Sequence, residues 1–151
     1  MENIIVAISN FPALFPIKLA IYNNDCLTCC AVLFVFIASF VSHLFENHKH
    51  GMVGIANINP NISYILNRFD ILGVILVLLR FAYLIYVYSI KKLITNDFDI
   101  IIYLIVSSIF NIISEHNKYN AKLKKIYIVT HIIWHISIFS IMYLFLLRIY
   151  T

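Results

Sequence analysis

Three histidines, an aspartate and a serine stand in otherwise apolar stretches of this chain, at spacings suited to a metal centre. His131 and His135, in Thr130-His-Ile-Ile-Trp-His135, are four residues apart. On a helix that spacing puts both imidazoles on one face, where they can reach a single ion. Ser39 and His43 share the same relation in Ser39-Phe-Val-Ser-His43, and Asp70 closes the run Asn67-Arg-Phe-Asp70. Two histidines from one helix and one from another make a three-nitrogen set. Such a set leaves a fourth tetrahedral position open for water, as catalytic zinc sites do. Asp70 could hydrogen-bond that water or orient a ligating imidazole. Each piece alone has a plainer explanation. A His pair can ligate haem or bond to neighbouring helices, a serine can pack or bond back to its own helix, and an aspartate suits a helix start. It is the five together that favour a metal.

The elements that must position these residues are transmembrane helices. The chain has 151 residues, 62% hydrophobic and 12% charged, with a mean hydropathy of +0.92. Soluble domains run at roughly 45–50% apolar and about 25% charged, so a water-soluble fold of this size would lack the polar surface to cover itself. Five apolar segments can be drawn, at about residues 3–22, 27–45, 69–90, 98–114 and 126–149, each near the ~20 residues that cross a hydrocarbon core. In lipid each segment must satisfy its own backbone, so the expectation is an all-α integral membrane bundle in one domain. The first segment is the weakest, interrupted by Pro12, Pro16 and the polar pair Ser9–Asn10. Alternation of the five segments brings His43, Asp70 and the His131/His135 pair to the same side and a similar depth. Ionisable groups at that depth are costly, on the order of 2.5–3.5 kcal/mol each at a helix centre, and imply a function.

The charge of +4 does not form a basic face; lysines and arginines sit at segment ends as interfacial anchors, so no nucleic-acid partner is expected. The side carrying the five residues has Lys49, Arg68, Lys118, Lys122, Lys124 and Lys125, against Lys18, Lys91, Lys92 and Arg148 opposite. That excess places the N-terminus and the site on the cytoplasmic side, in an endomembrane. Cys26, Cys29 and Cys30 are odd in number and clustered, which is no disulfide framework. His48 and His50 read as a solvated loop. Arg80 lies mid-segment with no evident acidic partner and must snorkel or find one. Trp134 is expected to pack on a neighbouring helix, and Tyr83, Tyr86 and Tyr88 to form an interfacial belt.

Ser-x3-His ending one helix, Asp opening the next and His-x3-His in the last resemble the signature of the superfamily of alkaline ceramidases and PAQR receptors (CREST). Arg68-Phe-Asp70-Ile-Leu-Gly73 is similar to that family's aspartate-bearing helix start, and Thr130–His135 to its final helix. The resemblance implies a zinc held by His43, His131 and His135, with Ser39 and Asp70 beside the water that it activates. In hydrolytic members that water attacks a lipid amide or ester; here Asp70 would take its proton and Ser39 would help hold the oxyanion. The family has seven transmembrane helices, so this chain would be a shortened form lacking a hairpin that helps wall the lipid cavity. Two other functions are consistent with the residues: a receptor-like or scaffolding membrane protein with structural zinc, and a haem-binding electron carrier. An open five-helix bundle would also accommodate a homodimer, although no small-xxx-small seam marks an interface.

Overall fold

A computed structural model describes residues 2–47, 54–56 and 58–150, and every regular element among them is helical. The helices are α1 (Glu2–Ile8), α2 (Leu14–Tyr22), α3 (Cys26–Leu44), α4 (Pro60–Tyr88), α5 (Ile90–Asn96), α6 (Phe98–Asn117) and α7 (Lys124–Tyr150). Five stretches are long and apolar enough to cross a membrane: Glu2–Tyr22, which joins α1 and α2, then α3, α4, α6 and α7. The shortest, α3, has 19 residues, which at 1.5 Å per residue gives about 28 Å, close to a hydrocarbon thickness.

Local chemistry explains where the helices start and break. A 3-10 turn at Phe11–Ala13, with Pro12 near its start, separates α1 from α2. The Asp25 side chain caps α3 by accepting the Thr28 backbone N–H at 3.0 Å. Asn59 caps α4, and Pro60 takes its first position, where the missing N–H costs nothing. These signals start α4 nine residues before the apolar run at Phe69, so its first two turns mix polar and apolar residues. Asp70 therefore lies in the third turn of α4 and not at its opening. Ser89, with φ of 87°, breaks α4 from α5.

α3 packs against α4 and α6 against α7, while α1 and α2 sit between α3 and α7. The α3–α4 contact is close at Gly73, where a Cβ would lie 2.8 Å from the Val35 Cα. One core cluster joins Ala13, Ile17, Val32, Val35, Val77, Phe139 and Met142; another gathers Leu84, Leu93, Ile100, Ile141, Phe145 and Leu146.

Arg80 does have an acidic partner. Its guanidinium donates to both oxygens of Asp25, at 2.8 and 2.7 Å, and to the Thr28 hydroxyl at 2.9 Å. The Tyr150 hydroxyl donates to the same carboxylate at 2.7 Å, joining α7 to the start of α3. Burial pushes the Asp25 carboxyl up, but its hydrogen bonds from Thr28, Tyr150 and Arg80 outweigh that and hold it well below the usual carboxylate range. A second tie pairs Arg148 with Asp97 and Asp99. Tyr88 belongs to it: its hydroxyl donates to Asp97 at 2.8 Å and does more than line an interface.

Candidate metal centre

At the opposite end of α3 from Asp25, 18 residues and roughly 27 Å along the helix, the last turn carries His43. The C-terminal carbonyls of a helix lack intrahelical partners. Asn3 of α1 supplies one, donating from Nδ2 to the carbonyls of His43 at 3.0 Å and Glu46 at 2.9 Å. His131 and His135 enter from α7, one turn apart on one face. The three rings lie centroid to centre at 4.8, 5.0 and 4.5 Å, and exposures of 1, 6 and 4% place all three out of solvent. One ligand atom from each lies within 4.8 Å of the others, so the set could hold a metal ion.

Which nitrogens face the centre follows from what holds each ring behind. Ser9 donates its hydroxyl hydrogen to the Val6 carbonyl at 2.6 Å and lies 2.8 Å from His135 Nδ1. With its one hydrogen committed, the serine can only accept, so His135 Nδ1 carries the proton and Nε2 the free lone pair. His43 Nδ1 stands 3.3 Å from Glu46 Oε2. A carboxylate is acceptor only, so His43 also presents Nε2. His131 Nδ1 is held by the Ser114 hydroxyl of α6 at 2.7 Å. Metal-ligating histidines are commonly oriented by a hydrogen bond at the second ring nitrogen, to a carboxylate, a backbone carbonyl or water; here the partners are a carboxylate and two serine hydroxyls.

The inward side fits the same reading. His43 Nε2 and His131 Nε2 are 3.1 Å apart. Tetrahedral metal–nitrogen bonds of about 2.0–2.1 Å put ligand nitrogens about 3.3–3.4 Å apart, so this edge is already at coordination distance. With the widest separation at up to 4.8 Å, closing the set needs a shift of about 1.4 Å, within reach of imidazole rotation. Asp70 Oδ2 lies 3.9 Å from His43 Nε2, with the side chain 15% exposed. It sits beside the ligands without being one of the three.

Ser39, 3% exposed, lies one turn before His43 and lines a cavity of about 300 Å³ together with all three histidines and Asp70. The cavity is lined from α3, α4, α6 and α7. Asn10, Asn67, Asn111, Glu115 and Lys118 contribute polar lining, while Val74, Leu78, Ile138 and Met142 contribute apolar lining. Trp134 also faces this cavity. One end can therefore present charged and hydrogen-bonding groups to a ligand, and the other an apolar wall. His48 and His50 lie outside the described residues.

All five residues singled out in the sequence thus meet in one place. Several others that hold them gave little sequence signal: Asn3, Ser9, Glu46, Ser114 and Tyr127. Ser9 breaks the hydropathy of the first segment and Ser114 sits at the end of the fourth. Both are polar residues at the depth of the site, which is the one signal that could have marked them.

No family model and no solved structure matches the chain. It is similar to the mimivirus protein described as uncharacterized protein L282, from Acanthamoeba polyphaga mimivirus. The two are 48% identical over 152 residues, covering 99% of each. At that identity over essentially the full length, the chain belongs to the same family as this mimivirus protein.

Proposed function

We propose that the chain is a multi-pass membrane protein that hydrolyses a lipid amide or ester bond at a zinc centre held by His43, His131 and His135. The observation that carries the proposal is the convergence of three buried imidazoles, each held from behind, at the polar end of a partly apolar cavity. The resemblance of the five residues to the alkaline ceramidase and PAQR receptor signature supports the same reading, as a shortened form of that fold. Three nitrogen donors favour a borderline ion such as zinc over magnesium or calcium, which take oxygen ligands. When bound, zinc would polarise a carbonyl and make water nucleophilic near neutral pH.

The chain's own groups supply the rest. Asp70, 3.9 Å from His43 Nε2, is placed to take the proton of the attacking water and return it to the leaving group. Ser39, one turn from His43 in the same cavity wall, would donate a hydrogen bond to the carbonyl oxygen as charge develops on it. The apolar lining from α4 and α7 would hold an acyl chain and exclude water. The lysine and arginine excess near the site favours a cytoplasmic orientation, with Arg68 and Lys118 at the interface. A haem between two axial imidazoles fits less well, because His131 and His135 project from one helix face with ring centroids only 4.5 Å apart.

The test is hydrolysis of N-acyl and O-acyl lipids in detergent or vesicles by wild type and Asp70→Ala. Product release that vanishes in the variant, with zinc content and folding retained, is expected. Absence of hydrolysis by the zinc-loaded wild type across both lipid classes would favour a receptor-like or scaffolding role.

A further inference from the structure

We infer that Glu46 is a positioning residue of the metal centre: its carboxylate fixes the tautomer of His43 and strengthens that imidazole as a ligand. The inference rests on the metal reading above and extends it to a residue outside the five. Glu46 follows α3 by two residues and is 0% exposed, although the sequence places it at the start of a polar connection. Its backbone is pinned by Asn3, and its Oε2 receives His43 Nδ1 at 3.3 Å and the Tyr127 hydroxyl at 3.1 Å. Tyr127 is 1% exposed and sits one turn before His131 on α7, its ring 5.1 Å from the His131 ring. One buried carboxylate therefore links the ligand of α3 to the helix that carries the other two.

A carboxylate behind an imidazole acts in two ways. It holds the proton on Nδ1, leaving the Nε2 lone pair for the metal, and it raises the electron density of that lone pair. Ser9 behind His135 can do only the first, and behind His131 stands the uncharged Ser114 hydroxyl at 2.7 Å. Behind His43 the partner is a carboxylate, that of Glu46. The Tyr127 hydroxyl draws on the same oxygen and tempers its effect.

These roles give opposite predictions for two variants. Glu46→Gln keeps the shape and an accepting oxygen but removes the charge. It should weaken cobalt and zinc binding by about 10–100-fold, as loss of such partners does elsewhere. It should also shift the visible d–d bands of the cobalt-loaded protein. Tyr127→Phe removes a hydroxyl that competes with His43 for the same carboxylate oxygen and should bind cobalt as tightly as wild type or more tightly. A merely structural role for the cluster would weaken both variants alike, and that result would overturn the inference, as would cobalt affinity of Glu46→Gln within about threefold of wild type. Should Glu46→Gln fail to fold, nitrogen-15 NMR of metal-free wild type decides the matter: His43 must carry its proton on Nδ1, and a proton on Nε2 would refute the proposal. If wild type binds no cobalt, the metal reading itself falls and takes this inference with it. If wild type binds cobalt and Glu46→Gln matches it, only the role of Glu46 falls.

Discussion

Gly73 offers a direct test of how closely α3 and α4 must approach to bring Asp70 to His43. A Cβ at residue 73 would lie 2.8 Å from the Val35 Cα, 3.0 Å from its Cβ and 3.1 Å from its Cγ2. The first contact is with backbone, which cannot rotate away. Restoring ordinary separations of about 3.4 Å or more moves the helices apart by about 0.6 Å or more. Overpacking of this kind costs about 1–3 kcal/mol, while alanine gains up to about 1 kcal/mol over glycine in helix propensity. Gly73→Ala should therefore be destabilised by about 0–2 kcal/mol, and Gly73→Val, without that gain, by about 3 kcal/mol. The functional effect is selective. Asp70 is three residues from Gly73 on α4, whereas the three ligands come from α3 and α7. Separation of α4 should lower hydrolysis at least tenfold while leaving zinc affinity near that of wild type. Unfolding in mixed micelles, zinc titration and lipid turnover, measured on the same preparations, check each part. A Gly73→Val protein as stable and as active as wild type would refute the close packing on which the placement of Asp70 depends.

Other outcomes follow from named contacts. Arg80→Met leaves the Asp25 carboxylate without its cation and should cost about 1–3 kcal/mol in unfolding free energy; the double variant with Asp25→Asn should recover part of that loss, as a double-mutant cycle would record. Because the Asp25 carboxyl is held below its ordinary value, its stabilising contribution is fully present above about pH 4 and is lost as pH falls further. Acid unfolding of wild type should thus show a transition below pH 4 that Asp25→Asn lacks. Ser9→Ala removes the acceptor behind His135 and should weaken zinc binding by about 10-fold or more in a chelator competition.

The membrane-length helices and the convergence of the five candidate residues were legible in the sequence because both depend on local rules. Runs of apolar residues fix membrane-length helices whatever their neighbours, and a spacing of four fixes a shared face. Alternation of spans then brought His43, Asp70 and His131 to one side without any knowledge of packing. Boundaries were less legible: hydropathy begins α4 at Phe69, yet Asn59 and Pro60 cap it earlier, and capping adds no hydropathy. Partners distant in sequence could not be read at all. Asp25 is 55 residues from Arg80, and Ser9 is 126 from His135. The polar pair Ser9–Asn10, which weakens the first segment as a membrane span, is what the site requires of it. Glu46 was hidden for a related reason. It lies past the end of an apolar run, where a charged residue ordinarily marks a solvated loop, and the packing of α1 and α7 at the end of α3 buries it.

The most direct test of the account is the metal content of the purified protein. Wild type and His131→Ala would be prepared in detergent without added metal and assayed by elemental analysis, then titrated with zinc. The account predicts one zinc per wild-type chain, bound tightly enough to survive purification, and loss of that zinc in the folded His131→Ala variant. Wild type without stoichiometric zinc even after titration, or His131→Ala with undiminished zinc, would contradict it.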